Sequence, residues 1–319
     1  MVNSIPITPL EEKESFLMKK AHVLHNPGAG EGETSRQDLI DQLESAGFKC
    51  SYSSTKPFRW ENIETEDVDF LVLAGGDGTV RKIAEELLSR KVIEKQLPLG
   101  LLPLGTANNI AKTLGISGSP GDIISGWHHA QIQNFDVGKI SGLEKPSFFL
   151  ESFGYGLFPR LMHEMKRQGK NDIEDPKEKI LAALILLRDL IADAPVKKCK
   201  LNVNGKDYSG EFLLIEVMNI RSIGPNLNLA PGANPADGEF EVVLISESQR
   251  SALAGYVQKK IDGEEVLIDF PTLKARDLTI SWDGKRVHVD DQYFKVKEPV
   301  EIKIEMRAGL LEFLLPVTP

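Results

Sequence analysis

The sequence is poor in cysteine, which narrows the classes of protein to which it can belong. Its 319 residues include only two cysteines, Cys50 and Cys199, and they show no metal-ligand spacing. The histidines are scattered without zinc-type spacing as well. A disulfide-stabilised secreted fold and a structural zinc site are therefore not expected, and two isolated thiols suit a reducing compartment.

Long hydrophobic runs are also missing. The longest apolar run covers residues 180–187, whereas a helix that crosses a bilayer needs roughly 20 apolar residues. Residues 1–20 lack the apolar segment of a signal peptide, and we expect them to form a loose tail. The expected location is the cytoplasm, with transient association with a membrane left open.

Basic residues are in the minority. The chain carries 38 Lys and Arg against 47 Asp and Glu, which gives a formal net charge of -9. A general nucleic-acid binder normally carries a basic patch, so no nucleic-acid partner is expected.

Two familiar nucleotide-binding signatures are absent. No lysine follows a glycine of the segment 28–35 at the spacing of a P-loop. No GxGxxG precedes a helix and a distant ribose-binding acid. A P-loop enzyme and a dinucleotide oxidoreductase are both disfavoured.

A repeated order of strand, glycine-rich turn and helix is present from residue 21 to about residue 134. The segment 68–74 is almost entirely apolar, as expected for a strand buried on both faces of a parallel sheet. After residue 134 short strands dominate, and the segments 301–306 and 310–315 are apolar enough to pair. The pattern predicts an α/β domain followed by an antiparallel β-rich domain.

A glycine-rich turn, Gly75-Gly76-Asp77-Gly78-Thr79, separates the buried strand from a helix. Glycines at a helix N-terminus let phosphate approach unpaired backbone N–H groups, and Thr79 can cap the helix or donate to phosphate. Because a carboxylate repels phosphate, Asp77 predicts an intervening Mg²⁺, bound directly or through water. The alternative is a tight turn with a capping aspartate.

A second strand-to-helix turn follows at residues 103–109. Thr106 and Asn108 could bind phosphate or the hydroxyls of adenosine, although both residue types are also ordinary helix caps.

The two turns together resemble a known family. GGDGTV at 75–80 with PLGTANNIAKTLGI at 103–116 is similar to the diacylglycerol kinase catalytic-domain family, in its soluble bacterial lipid kinase branch, with sphingosine and ceramide kinases as relatives. HNPGAG at 25–30 and APGANPADGEFEVVLI at 230–245 extend the resemblance over about residues 21–315.

The resemblance implies an architecture and a set of ligands. An N-terminal parallel-sheet α/β domain, 21–134 with about 304–319, would bind ATP. A C-terminal antiparallel β-sandwich domain, 135–303, would bind the lipid, and the last strand would return to the first domain. ATP, Mg²⁺ and a lipid at a membrane surface are the implied partners, and a homodimer is possible in this family.

The resemblance also implies site residues. The residues implied near ATP are Asn26, Thr55, Gly75, Gly76, Asp77, Gly78, Thr79, Thr106 and Asn108. Asp237 would hold Mg²⁺, with the backbone carbonyls of Asn234 and Glu239. From the residues alone, Asp237-Gly238 reads as a hairpin turn.

The general base departs from the family pattern. The family has Asp-Gly-Glu late in the second domain, and here Asp290-Asp291-Gln292 stands at that place. Glutamine cannot accept a proton at neutral pH, so Asp290 or Asp291 would have to replace the base. Arg81-Lys82 and Asn109 also replace the family's usual residues.

Three hypotheses follow. The chain is an ATP-dependent kinase of diacylglycerol or a similar lipid alcohol, a catalytically impaired nucleotide- or lipid-binding relative, or a kinase of a soluble substrate resembling NAD kinase.

Overall fold

The structure is a computed structural model and describes residues 20–29, 34–56, 67–89, 97–266, 268, 270–296 and 300–317. The predicted tail at 1–20 lies outside these ranges except for Lys20.

The helices within the described ranges are α1 (Arg36–Ser45), α2 (Asp77–Ser89), α3 (Asn109–Thr113), α4 (Pro120–Gly126), α5 (Leu157–Arg167), α6 (Pro176–Asp193) and α7 (Arg250–Ile261). The strands are β1 (Lys20–His25), β2 (Lys49–Ser54), β3 (Phe70–Gly75), β4 (Leu99–Pro103), β5 (Gln131–Ser141), β6 (Phe148–Phe149), β7 (Ser152–Tyr155), β8 (Lys197–Val203), β9 (Lys206–Asp207), β10 (Gly210–Phe212), β11 (Leu214–Met218), β12 (Ser222–Ile223), β13 (Leu227–Asn228), β14 (Phe240–Ile245), β15 (Thr272–Ala275), β16 (Asp277–Trp282), β17 (Arg286–Val289), β18 (Gln292–Lys295) and β19 (Glu301–Leu315).

The N-terminal part is a parallel sheet with helices around it. Strands β2, β1, β3 and β4 pair in that order and all run parallel. Every residue of β3 is buried, which confirms the apolar pattern predicted for a central parallel strand. Helix α1 begins at a capping box between Ser35 and Asp38, which satisfies N–H groups at its first turn.

The C-terminal part is a β-sandwich with helices on its outer face. A six-stranded antiparallel sheet has the order β15-β14-β11-β7-β17-β18. Ile215 and Val217 of β11 face the core between the sheets, whereas Leu214 and Met218 face the core beneath α5, α6 and α7. The fold class predicted from the sequence, a parallel α/β part and an antiparallel sandwich, is confirmed.

Strand β19 connects the two parts. Its first half pairs antiparallel with β16, and its end pairs parallel with β4 at Phe313 and Leu314. The expected return of the last strand to the first part is therefore confirmed. The segments 301–306 and 310–315 form one strand, whose register against β5 shifts between Arg307 and Leu311. The domain limits near 134 and 303 stay predictions, and both positions lie inside continuous strands.

The local structure of three segments completes this description. The segment 147–153 contains two short strands, β6 and the start of β7. Helix α6 begins at the end of the charged segment 166–179, because Asp175 caps that helix and Pro176 occupies its first turn. Helix α4 was missed although its Ser119-Pro120 start and the capping contact of Ser119 with Asp122 are visible in the sequence.

Candidate active site

The turn after β3 is built by glycine packing. A side chain at Gly75 would place its Cβ 2.3 Å from the Thr79 hydroxyl oxygen, and a Cβ at Gly76 would lie 2.9 Å from the Gly105 Cα. Only glycine permits these approaches. The turn at 75–79 and the turn at 103–108 therefore press backbone against backbone, which brings the N-terminal ends of α2 and α3 together.

Asn108 holds the second turn in shape. It adopts a left-handed conformation with φ of 51°. Its side-chain Nδ2 donates to the carbonyls of Pro103 at 3.0 Å and Gly105 at 2.7 Å, and its Oδ1 accepts from the Gly105 N–H at 3.0 Å. These contacts engage the amide within the turn, and direct contact of Asn108 with nucleotide stays a prediction.

Asp77 joins the two turns. Its Oδ2 accepts from the Asn109 N–H at 2.9 Å and its Oδ1 accepts from the Ile110 N–H at 3.1 Å. Burial raises the pKa of Asp77, and these two hydrogen bonds oppose the shift. The carboxylate thus caps α3, as in the structural alternative weighed for this residue, and binding of Mg²⁺ by Asp77 stays a prediction.

A cavity of about 340 Å³, here called the loop cavity, opens beside these turns. Its lining includes most of the residues predicted to lie near nucleotide, namely Asn26, Thr55, Gly76, Gly78, Thr79 and Thr106. Asn26 also approaches Thr79, with 3.4 Å between Nδ2 and the hydroxyl oxygen. The structure thus brings together residues that follow all four strands of the parallel sheet, β1 to β4.

Two lysines of the loop cavity were not predicted as site residues. Lys56 follows Thr55, and the Lys82 ammonium donates to the Thr55 carbonyl at 2.6 Å. Lys82 lies three residues after Thr79, on the same face of α2, and this spacing was the signal available in the sequence. Both cations suit a ligand that carries several negative charges.

Asp290 is enclosed and fully engaged. Its carboxylate accepts from Arg81 Nε at 2.9 Å and from the N–H groups of Leu150, Glu151 and Ser152 at 2.8–3.2 Å. Burial raises the pKa of Asp290, and Arg81 and the amides oppose that shift. Because both of its carboxylate oxygens accept hydrogen bonds, Asp290 fixes the position of the segment that follows it.

A buried histidine also contacts the segment 290–292. His288 Nδ1 lies 3.1 Å from the Asp290 carbonyl oxygen, and its Nε2 lies 2.7 Å from Glu216 Oε2. Glu216 and His288 are fully buried, and the Glu216 carboxylate raises the pKa of His288 against the effect of burial.

Asp291 faces the opposite way, toward the glycine turn. A Cβ added to Gly78 would lie 3.0 Å from Asp291 Oδ2. The side chain is exposed to the cleft, yet the surrounding protein removes part of its hydration, and this desolvation raises the pKa of Asp291 while Arg81 lowers it. Of the two aspartates, only Asp291 presents its carboxylate to the site.

A second cavity of about 560 Å³, here called the apolar cavity, begins at Asp291 and Gln292. Leu161 and Met165 of α5 and Ile180 and Ala183 of α6 supply apolar walls. Thr106 lines both this cavity and the loop cavity. The Asp291 end of the apolar cavity therefore lies beside the turns at 75–79 and 103–108.

Glu151 is an acidic residue that the sequence reasoning missed. It is 7% exposed, and Asn109 Nδ2 lies 3.5 Å from its Oε2. Burial, followed by the charges of Asp77, Asp290 and Asp291, raises the pKa of Glu151 well above its usual value. The Asn109 amide oxygen is buried without a hydrogen-bond partner in the described part of the chain.

The predicted Mg²⁺ loop presents its carboxylates to a lysine. Asp237 Oδ2 accepts from the Lys274 ammonium at 3.1 Å, and Glu239 lies 3.4 Å from the same ammonium. Asn234 accepts the Asp237 N–H through its carbonyl at 3.3 Å. Among the residues that the structure describes, no three His, Cys, Asp or Glu side chains are placed to hold a metal ion. Binding of Mg²⁺ by Asp237 and the carbonyls of Asn234 and Glu239 stays a prediction, and no chemical step below runs through it.

Two protein-family models match successive parts of the chain. Residues 20–140 match the family model described as the diacylglycerol kinase catalytic domain. Residues 165–311 match the model described as the YegS C-terminal NAD kinase beta sandwich-like domain.

Individual relatives match over most of the chain. The diacylglycerol kinase of Bacillus subtilis (strain 168) is 22% identical over 259 residues, which cover 78% of this chain and 81% of that protein. A crystal structure of a diacylglycerol kinase from Bacillus anthracis strain Sterne is similar with a TM-score of 0.68 and 19% identity. That match covers 93% of this chain and 97% of the other, and it supports the fold. With one family model on the α/β part and the other on the sandwich, the chain belongs to the diacylglycerol kinase catalytic-domain family.

Proposed function

We propose that this protein transfers the γ-phosphate of ATP to the hydroxyl of diacylglycerol or a similar lipid alcohol. The observation that carries the proposal is the position of Asp291. This carboxylate lies between the glycine turn at Gly78 and the apolar cavity, so it contacts the place where a lipid hydroxyl would meet a nucleotide phosphate.

The loop cavity supplies the contacts for ATP in this proposal. The N–H groups at the start of α2, the Thr79 hydroxyl, and the ammonium groups of Lys56 and Lys82 bind phosphate oxygens. Phosphoryl transfer depends mainly on such positioning and charge neutralisation. Mg²⁺ enters with ATP as part of the substrate, because Mg²⁺ is usually held by substrate phosphates with few protein ligands.

Asp291 acts as the general base. The lipid oxygen forms a bond to the γ-phosphorus, the bond from that phosphorus to the bridging oxygen breaks and releases ADP, and the hydroxyl proton passes to Asp291. A positioned base contributes about 10²–10⁴-fold to the rate. The raised pKa of Asp291 makes it a better proton acceptor than an ordinary aspartate.

The lipid is proposed to enter from a membrane surface through the apolar cavity. None of the described helices is long and apolar enough to cross a membrane. Lys166 and Lys179 at the cavity suit the polar headgroup region, while the apolar residues of α5 and α6 suit acyl chains.

The direct test is transfer of label. The protein is incubated with γ-labelled ATP, Mg²⁺ and micelles that contain diacylglycerol, monoacylglycerol, ceramide or sphingosine, with O-methylated diacylglycerol as the matched control. We expect label in at least one lipid alcohol and none in the O-methylated control. Intact ATP binding without label in any lipid would contradict the proposal.

Two other functions are tested in the same experiment. Label in NAD, without micelles, would favour a soluble-substrate kinase. Gln292 motivates the third candidate, an impaired binding relative, because it stands where the family has its glutamate. If Gln292→Glu raised turnover strongly, the natural protein would be an impaired enzyme; with Asp291 as base, we expect little gain.

A further inference from the structure

A separate cavity in the sandwich part is lined by four cations and two acids, beside apolar and glycine residues. This basic cavity has a volume of about 710 Å³ and lies between the start of α5, the end of α6 and the β16–β17 hairpin. Arg160, Lys197, Lys285 and Arg286 line it. Its lining residues are all different from those of the loop cavity and the apolar cavity, so it is separate from the candidate active site.

Three of the four cations in the basic cavity are more enclosed than its two acids, and the fourth, Lys285, is exposed. Arg160, Lys197 and Arg286 are half-buried, whereas the two acids that line the same cavity, Asp193 and Asp283, are exposed. Within the described residues, none of these three cations forms an ion pair with a carboxylate. Half-buried charges without partners cost free energy, and that cost falls when an anion binds.

Arg286 is the clearest case of a cation in this cavity that lacks a partner. Its Nε is buried and has no hydrogen-bond partner in the described part of the chain. In the β17–β18 pair, Arg286 stands directly opposite Lys295, and like charges in this position repel. A bound anion would accept a hydrogen bond from the Nε–H of Arg286 and would reduce the repulsion between Arg286 and Lys295.

The start of α5 adds donors to the same cavity. Gly156 and Leu157 line it, and Gly156 occupies the N-cap position without a side-chain cap. The first N–H groups of an α-helix lack intrahelical acceptors, and the N-terminal end carries partial positive charge. The start of α5 therefore borders the same space as the guanidinium groups of Arg160 and Arg286, although Pro159 contributes no N–H to it.

We propose that the basic cavity is a binding site for a phosphate-type anion, either free phosphate or the phosphate of an anionic lipid headgroup. Guanidinium groups recognise phosphate through paired N–H donors, which no other side chain offers in the same planar form. The proposal goes beyond the kinase function, since it concerns a cavity that holds none of the proposed reacting groups.

The test follows an NMR signal from a residue that lines the basic cavity. The Nε–Hε resonance of Arg286 is followed by NMR in the wild-type protein while inorganic phosphate is added at constant ionic strength. In a second arm, monomeric dihexanoyl phosphatidylglycerol is added, with dihexanoyl phosphatidylcholine as the neutral-headgroup comparison. Arg286→Gln identifies the resonance.

Matched variants decide whether the response belongs to this cavity. Arg160→Gln removes one guanidinium, and we expect it to weaken the binding about 10- to 100-fold, as for loss of a charged hydrogen bond. Lys206→Gln removes an exposed cation on β9, outside the cavity, and should leave the titration unchanged. Lys197→Gln replaces Arg160→Gln if the latter variant does not fold.

Each outcome decides the proposal. A saturable shift with phosphate that Arg160→Gln weakens supports a site for free phosphate. The same behaviour with phosphatidylglycerol alone assigns the site to a lipid headgroup. Absence of a saturable shift with both ligands, or a shift that Arg160→Gln and Lys206→Gln affect equally, overturns the proposal.

Discussion

The two segments that face each other at the candidate active site are built by opposite means. The turn at 75–79 presents backbone, and its glycines allow so close an approach that a Cβ at Gly76 would lie 2.9 Å from the Gly105 Cα. The segment 290–292 presents side chains, and buried partners fix it: Arg81, three backbone amides and His288.

The two segments therefore suit different tasks. The turn at 75–79 suits ligand binding, and the segment 290–292 suits proton transfer. A site made of backbone and cations holds a charged ligand without taking part in proton transfer. A site made of carboxylates can move a proton, provided that one carboxylate is left accessible. Asp290 orders the segment and Asp291 remains exposed to the cleft, so two adjacent aspartates have different tasks.

The largest effect is expected where the two segments are joined. Arg81 is 6% exposed and Asp290 is 4% exposed, and their contact at 2.9 Å links α2 to the segment 290–292. Arg81→Met leaves a buried carboxylate without its cation and should lower the free energy of unfolding by about 3–5 kcal/mol. Urea unfolding measures this.

An exposed ion pair provides the control for that prediction. Arg276 pairs with Glu239 at 3.5 Å on the surface, so Arg276→Met should cost only about 0–1 kcal/mol. Equal losses for the two variants would show that the link between α2 and Asp290 contributes nothing special.

A smaller effect is expected on the backbone-built side. Lys82→Met removes an ammonium from the loop cavity and should weaken ADP binding about 10- to 100-fold, as for loss of a hydrogen bond to a charged group. Calorimetric titration with ADP measures the change. Lys206→Met, remote from the cavity, is the control, and unchanged ADP affinity in Lys82→Met would remove Lys82 from the site.

The smallest effect concerns Glu151 and depends on pH. Because its pKa is raised well above 4.5 in the folded protein, the native state binds more protons than the unfolded state above pH 4.5. Stability is then lost as pH rises through this window. Each tenfold difference in proton affinity between the two states corresponds to about 1.4 kcal/mol.

Glu151→Gln lacks this titration. The free energy of unfolding of the variant relative to the wild type should therefore increase as pH rises from 4.5 to about 8. Urea unfolding across that range measures the difference. A difference that stays constant with pH would mean that Glu151 is ionised in the folded protein throughout.

Local sequence was sufficient for the backbone-built segment. A buried strand, glycines and a helix start are consecutive in the chain, so the turn at 75–79 and the lining roles of Thr79 and Thr106 followed from pattern and resemblance. The parallel sheet was accessible from period and composition, whereas the return of the last strand was implied only by the family resemblance.

The conformation of the segment 290–292 depends on long-range packing. The sequence alone therefore did not show which of its two aspartates faces the site. The choice between Asp290 and Asp291 rests on a left-handed residue at Asp290, with φ of 50°, and on amides contributed by residues 150–152. Glu151 reaches the site through the path of the chain between β6 and β7, and no local motif marks it. The lysine beside Asp237 is likewise brought in by a separate strand, β15.

The proposed role of Asp291 as the general base is tested most directly by single-turnover phosphate transfer. Wild type, Asp291→Asn and Gln292→Asn are mixed with γ-labelled ATP, Mg²⁺ and diacylglycerol micelles, and ADP affinity is measured in parallel. We predict that Asp291→Asn slows transfer about 10²–10⁴-fold with ADP affinity unchanged, while Gln292→Asn transfers nearly as fast as wild type. Transfer by Asp291→Asn at the wild-type rate would contradict the account.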